Sequence, residues 1–313
     1  MKTTITPANR AKEGATPFHI DSATVGVSLE DSDKAMFDFL GLWSAHGMLA
    51  RLELVHVVPG IYLFDRHNGY DSYDFDKYEA ESVAVQQFAD SLADRFPAGN
   101  GLRVSVTVRE GDPLSELLAL TEQSGSDLFV IGKGTSKESH HILGRNLTRK
   151  MPAHTLMVPE QSASKMERIL VPFDFSPFSV KALREALRIR LAMKGQPEII
   201  ALNVYELPAF PAYLIRKSRE EFRKTIHADR RLAFRDFLHT HFSAEESRLV
   251  RMELVEQNHP GVGGFLYHYA LQQDVDLIVM GAKGHSRAGL LLMGSVTEKL
   301  MTLTTSIPIL VVK

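Results

Sequence analysis

The chain contains no cysteine, so neither a disulfide bond nor a thiolate metal site is available to it. A reducing cytoplasm is the simplest home for such a sequence. No apolar run approaches the ~20 residues of a membrane span, and the polar segment through Ala15 lacks the apolar core of a signal peptide. We therefore expect a soluble, cytoplasmic protein that is neither exported nor bound to a membrane.

An excess of charge of either sign is also missing. The 36 lysines and arginines face 38 aspartates and glutamates, which gives a net charge of −2. Proteins that bind nucleic acid usually carry a basic surface, so we expect no nucleic-acid partner. The length of 313 residues suits two domains of about 150 residues each.

Short apolar segments alternate with helical patterns along the chain, and the series then repeats. The clearest match sets Asp127-Leu-Phe-Val-Ile-Gly132 against Asp276-Leu-Ile-Val-Met-Gly281, at an offset of 149 residues. Such alternation is typical of parallel, doubly wound α/β sheets. The pattern predicts two tandem domains, residues 1–160 and 165–313, each with a five-stranded, mostly parallel sheet. The polar segment from Pro159 to Ser164 is the predicted linker.

A glycine-bearing loop follows the fourth strand of the second repeat. Gly281, Gly284 and Gly294, with Ser295, form the pattern G-x2-G-x9-G-S, after which a helical pattern resumes. Glycines let the backbone approach a ligand closely, and the N–H groups at a helix start attract anions. The spacing is neither that of a P-loop nor G-x-G-x-x-G. The loop therefore predicts a phosphate site, although ordinary turn and capping chemistry can produce the same residues.

These glycines, the preceding apolar strand and the terminal segment from Pro308 to Val312 resemble the universal stress protein family. ATP-binding members of that family carry G-x2-G-x9-G-[ST] between the fourth strand and the last helix. The resemblance implies a universal stress protein-like fold, of the adenine nucleotide alpha hydrolase-like kind. It also implies ATP or ADP, bound with Mg²⁺ or Mn²⁺.

Carried over position by position, the resemblance implies a nucleotide site in the C-terminal domain. Its predicted residues are Pro172, Phe173, Asp174, Val204, Met280, Gly281, Gly284, Gly294, Ser295 and Val296. Asp174 could instead cap the helix that follows it, but Ser176 competes for that position. The carboxyl ends of parallel strands meet at one edge of a sheet, so the placement of Asp174 near the glycine loop also follows from the fold alone.

The first repeat departs from this pattern at each corresponding position. Ser28 stands where Asp174 does, and the first glycine gap in Gly132-Lys-Gly134 is one residue. Gly144 is followed by Arg145-Asn146, and we expect the last helix to start there and to be about one turn shorter. We predict a degenerate nucleotide site, although Arg145 could still hold a phosphate.

Binding is better supported than catalysis. No Ser-His-Asp order or carboxylate pair with a defined role is apparent, so we do not expect efficient catalysis. Slow ATP hydrolysis stays open. The histidines at 227, 239 and 241 lie on different faces of a predicted helix, and we predict no protein metal site. The leading function is a nucleotide-dependent sensor or regulator in the stress response.

Two other functions are weighed against it. One is a non-nucleotide scaffold that docks a partner protein through the aromatic segment from Tyr62 to Phe75. The other is an enzyme of the nucleotide-transferring α/β class, whose own motif is missing. A purely structural domain would have little need for Ser295 together with its glycines, which favours nucleotide binding.

The last strand of each repeat, His154 to Val158 and Ser306 to Val312, lies at the rim of its predicted sheet. Exposed strand edges pair readily, and universal stress proteins resemble one another in pairing domains through these strands. The short linker favours pairing within one chain, as an intramolecular pseudo-dimer. Homodimerisation of the whole chain remains open.

Overall fold

The computed structural model describes residues 16–29, 31–59, 83, 87, 101–134, 138–206, 219–257, 261–283 and 293–313. The aromatic segment from Tyr62 to Phe75 lies outside these residues. In the N-terminal half the elements are β1 (Ala23–Val27), α1 (Asp31–Ala45), β2 (Arg51–Pro59), β3 (Arg103–Gly111), α2 (Pro113–Ser124), β4 (Leu128–Lys133), α3 (Glu138–Lys150) and β5 (His154–Pro159).

The C-terminal half repeats the alternation of strands and helices. Its elements are β6 (Arg168–Pro172), α4 (Pro177–Ala192), β7 (Glu198–Tyr205), α5 (Arg219–His241), α6 (Ala244–Arg248), β8 (Val250–Glu256), α7 (Val262–Gln272), β9 (Leu277–Gly281), α8 (Ser295–Leu303) and β10 (Ile309–Val312).

All ten of these strands form one sheet, in the order β3-β2-β1-β4-β5-β10-β9-β6-β7-β8. Neighbours within each half are parallel, which confirms the predicted α/β class with two sets of five strands. Each half winds outwards from its first strand, so the chain changes direction between β1 and β4 and again between β6 and β9. Ligands of open α/β sheets bind outside the carboxyl ends of the strands at such points.

The two halves meet where β5 and β10 pair antiparallel, with Leu156 opposite Leu310. Both side chains are fully buried. The predicted pairing of the last strands within one chain is confirmed. The linker is tied to both sides, because the N–H of Gln161 donates to the carbonyl of Thr305 at 3.3 Å and the hydroxyl of Ser164 donates to the carbonyl of Asp38 at 2.7 Å.

One face of α1 is apolar and packs against the sheet. Met36, Phe39, Leu40 and Trp43 are all fully buried. On α2 the side chain of Asp112 accepts from the N–H of Ser115 at 2.9 Å, and Pro113 occupies the first turn. Proline suits that position because its missing N–H would have no partner there.

One helix differs from the prediction. Helix α3 begins at Glu138 and has 13 residues, against nine in α8, so the expected shorter helix after Gly144 is wrong. Gly144 lies inside α3, where a side chain would meet nothing within 4 Å. Glycine is tolerated in a helix interior at about 1 kcal/mol, and the helical pattern simply continues through it.

The short helix α6 was not predicted. Its cap is Ser243, whose hydroxyl accepts from the N–H of Glu246 at 3.1 Å while the Glu246 carboxylate accepts from the N–H of Ser243 at 2.8 Å. This reciprocal capping box is visible in the sequence as Ser-x-x-Glu. No helix among the described residues is long and apolar enough to cross a membrane.

Candidate functional site

The C-terminal half holds a cavity of about 270 Å³ at the carboxyl ends of β6, β7 and β9. Nine of the ten residues predicted for the site line it, and Gly284 lies outside the described residues. The nine are Pro172, Phe173, Asp174, Val204, Met280, Gly281, Gly294, Ser295 and Val296. The fold thus brings together residues that are more than 120 positions apart in the chain.

The loop after β6 places Asp174 at the rim of this cavity. The hydroxyl of Ser176 accepts from the N–H of Ser179 at 3.2 Å and caps α4, as predicted. Asp174 accepts from the N–H of Ser176 at 3.0 Å, so its carboxylate is oriented by the loop and not spent on the helix cap. Between them Phe175 has a φ of 62°, a left-handed conformation that is uncommon outside glycine.

An aromatic cluster supports the floor of the cavity. The ring of Phe173 stacks on Phe234, with ring centroids 4.6 Å apart. The Asn203 side chain donates to the carbonyl of Phe173 at 2.7 Å and accepts from Arg230 at 3.4 Å. These contacts lock the end of β6 to the end of β7, so the walls on that side are preformed.

Gly281 ends β9 where the backbone passes very close to α4. A Cβ at this position would lie 2.6 Å from the Cβ of Phe178 and 2.9 Å from its carbonyl oxygen. Glycine is therefore required for packing as well as for any approach by a ligand. The carbonyl of Gly281 also accepts from the hydroxyl of Thr297 at 3.3 Å, which ties β9 to the first turn of α8.

Helix α8 starts at the cavity. Gly294 is its N-cap, with φ −64° and ψ 140°, and makes no side-chain cap bond. The first N–H groups of a helix have no intrahelical partner and lie at the positive end of its dipole. Helix starts of this kind favour anions.

Sequence reasoning missed several residues that line the cavity. They are Ser179, Leu202, Asn203, Val262, Leu266, Lys283 and Thr297. Lys283 had a visible signal, since it lies between Gly281 and Gly284 and adds a cation beside the helix start. Asn203 had none, because its role depends on contacts with Phe173 and Arg230 that only the folded chain creates.

Gly263, in the first turn of α7, allows close packing between helices. A Cβ on Gly263 would lie 2.8 Å from the Cβ of Lys299, so α7 and α8 touch through this glycine. Elsewhere the Nδ1 of His227 is 3.1 Å from the hydroxyl of Tyr205. Among the described residues, no group of three or more histidines, cysteines and acids could hold a metal ion.

The corresponding place in the N-terminal half is arranged differently. Asp33, which is fully buried, accepts from the N–H of Leu29 at 2.6 Å and from the N–H and hydroxyl of Ser28 at 3.0 Å each. Its carboxylate therefore accepts the hydrogen bonds of the loop after β1. Because α3 runs through Gly144, Arg145 lies in the middle of a helix and not at a helix start.

The fold and the site together define a class of protein. It is the doubly wound α/β domain, with a helix that starts without a side-chain cap where the strand order reverses. Within that class, residues 165–313 match the model of the universal stress protein family. Among curated proteins no sequence matches the chain. The C-terminal half of the chain is therefore similar to a universal stress protein domain.

Solved structures extend the likeness to the whole chain. A universal stress protein from Archaeoglobus fulgidus DSM 4304 is similar with a TM-score of 0.63 at 16% identity, over 93% of this chain and 98% of that one. A structure from Pseudomonas aeruginosa UCBPP-PA14, described as a universal stress protein, gives 0.59 at 18%, over 94% and 93%. At these identities the likeness shows the fold.

A third structure carries a ligand. It is a universal stress protein family protein from Arabidopsis thaliana with AMP bound, at 13% identity and a TM-score of 0.31, over 44% of this chain and 90% of that one.

Proposed function

We propose that the C-terminal half binds ATP or ADP with Mg²⁺ or Mn²⁺, and that the N-terminal half is a scaffold without a working nucleotide site. In this proposal residues 1–160 and 165–313 are the two domains. The observation that carries it is the uncapped start of α8 at Gly294, which opens onto a cavity lined by residues from three separate strands.

The phosphates, the ribose and the adenine would each have suitable partners in the cavity. The phosphates would accept from the N–H groups of Ser295 and Val296, with Lys283 as a neighbouring cation. The N–H of Gly294 donates instead to the carbonyl of Ala282 at 3.0 Å. The adenine and ribose would lie against Phe173, Asp174, Val204 and Met280. Asp174 brings a carboxylate suited to the ribose hydroxyls.

The metal ion would be held largely by the nucleotide. Mg²⁺ usually keeps several waters and binds through one or two carboxylates together with phosphate oxygens. Asp174 and the hydroxyl of Ser295 are side-chain oxygens that line the cavity, so the residues present fit an ion of this kind. The ion would neutralise phosphate charge.

We place this role in the cytoplasm, which suits the cysteine-free chain, as a nucleotide-dependent sensor or regulator in the stress response. Nucleotide extracted from the purified, denatured protein should be ATP or ADP. Adding ATP and Mg²⁺ should raise the melting temperature, since a ligand at a hundredfold excess over its Kd adds roughly 2.7 kcal/mol. A folded protein that carries no nucleotide and shows no shift would instead favour the partner-docking scaffold.

A further inference from the structure

A lysine of the N-terminal half reaches the helix that starts at the candidate nucleotide site. Lys133 ends β4, and its ammonium donates to the carbonyls of Met301, Thr302 and Thr304 at 2.9, 2.8 and 2.6 Å. The residue is only 5% exposed. An ammonium has three N–H donors, and here all three are used.

These carbonyls are the C-terminal end of α8, for which Thr304 is the C-cap. The last carbonyls of a helix have no intrahelical partner, and they carry the negative end of the helix dipole. Lys133 donates hydrogen bonds to these carbonyls and places a positive charge at the negative end of the helix dipole. The donor comes from the opposite half of the chain.

Helix α8 is short enough to act as one rigid element. Its nine residues span about 13.5 Å at the rise of an α-helix, with the candidate phosphate site at one end and Lys133 at the other. Its first turn is also paired across the halves, because Glu298 forms an ion pair with Arg149 of α3. A shift at the C-terminal end therefore displaces the N–H groups at the other end.

We propose that Lys133 is a positioning residue for the nucleotide site of the opposite half. Its ammonium fixes the end of α8 and so holds the N–H groups of Ser295 and Val296 in register for phosphate. The inference rests on the proposed function. It gives the N-terminal half a specific task, since the lysine of its Gly132-Lys-Gly134 loop serves the neighbouring site.

The chain supplies a matched control for this contact. Lys313 ends the chain beyond β10, and its ammonium donates to the carbonyl of Thr148 at 2.6 Å. This hydrogen bond also joins the two halves, but its donor comes from the C-terminal half. Its acceptor lies on α3, not on α8. Burial lowers the pKa of both lysines to about 8, helped by the charge of Arg145 near Lys133 and by that of Lys283 near Lys313.

The test is calorimetric titration of Mg²⁺-ATP into the full chain at about pH 7, with wild type, Lys133→Met and Lys313→Met. Lys133→Met should weaken binding roughly two- to thirtyfold, the range of coupling through packed elements, and Lys313→Met should not. Unchanged affinity in a folded Lys133→Met protein would overturn the inference, and so would equal weakening by Lys313→Met. Absence of binding by the wild type would contradict the proposed function itself.

A pH profile tests the inference by titrating Lys133 itself. Burial, with the nearby charge of Arg145, holds the pKa of Lys133 at about 8. Raising the pH from about 7 to about 9 removes its proton and one of the three donors. The affinity of wild type and of Lys313→Met should fall several-fold over this range, more than that of Lys133→Met, and equal profiles for all three would overturn the inference.

Discussion

The backbone N–H of Lys313 donates to the Nδ1 of His154 at 3.1 Å, which joins the end of β10 to the start of β5. The ring nitrogen can accept this bond only while it is unprotonated. Burial lowers the pKa of His154 below its ordinary value of 6.5. The seam between the halves is thus built around a neutral histidine.

This histidine predicts a pH dependence of stability. Below about pH 6.5 the unfolded chain takes up a proton that the folded chain refuses, so the free energy of unfolding should fall as the pH drops. His154→Asn keeps an acceptor but does not titrate. Urea unfolding at pH 7.5 and pH 5.5 should show a smaller loss in His154→Asn than in wild type, and equal losses would contradict the assignment.

Gly294→Val should weaken nucleotide binding at least about tenfold, because its side chain would keep a phosphate away from the N–H groups of α8 and losing even one hydrogen bond to a charged group costs about 1.5–3 kcal/mol. The backbone at Gly294, φ −64° and ψ 140°, accepts valine without strain, so the fold should survive. Ser295→Ala should have a smaller effect. Gly144→Val is the matched control, since Gly144 lies in α3 with open space around it. If Gly294→Val binds as wild type does, the loop is only a turn.

Gly281→Ala should destabilise the protein by about 1–3 kcal/mol, the usual cost of overpacking. The added Cβ would fall 2.6 Å from the Cβ of Phe178, and α4 would have to move. Gly264→Ala in α7 meets nothing within 4 Å and should be neutral or stabilising. Denaturant midpoints of the two variants measure the contrast, and similar midpoints would show that the close approach is not real.

The pairing of β5 with β10 predicts that the two halves stay together without the linker. With a protease site in a lengthened, flexible insert after Ser162, the cleaved halves should co-elute from a sizing column, because Leu156 and Leu310 pair in a buried interface. Leu310→Asp should separate them, since it buries an unpaired charge. Halves that elute apart after cleavage would place the association elsewhere.

Much of this architecture is visible in the sequence, and the reason is local. The apolar runs at Leu128 and Leu277 predict parallel strands without reference to distant contacts, and glycines at strand ends predict where the backbone turns. The candidate site followed because the carboxyl ends of parallel strands meet at one edge. A resemblance to a known family supplied the individual residues.

What could not be predicted depends on contacts between distant positions. Nothing near Lys133 in the sequence indicates the carbonyl of Thr304 as its partner, and nothing near Asn203 indicates Arg230. Helix α3 was misjudged because Gly144 was interpreted by analogy with Gly294. An isolated glycine leaves both outcomes open, and flanking apolar residues decide between a loop and a continuing helix.

The stoichiometry of Mg²⁺-ATP bound to the full chain tests the central claim most directly. Equilibrium dialysis with labelled ATP should find one nucleotide per chain, lost or strongly weakened in Gly294→Val and kept in Gly144→Val. One site is expected because α8 starts at the cavity of the C-terminal half without a side-chain cap, whereas in the N-terminal half Arg145 lies inside α3 and Asp33 binds the N–H groups of the loop after β1. A folded protein that binds no nucleotide at millimolar ATP, or two per chain, would contradict this account.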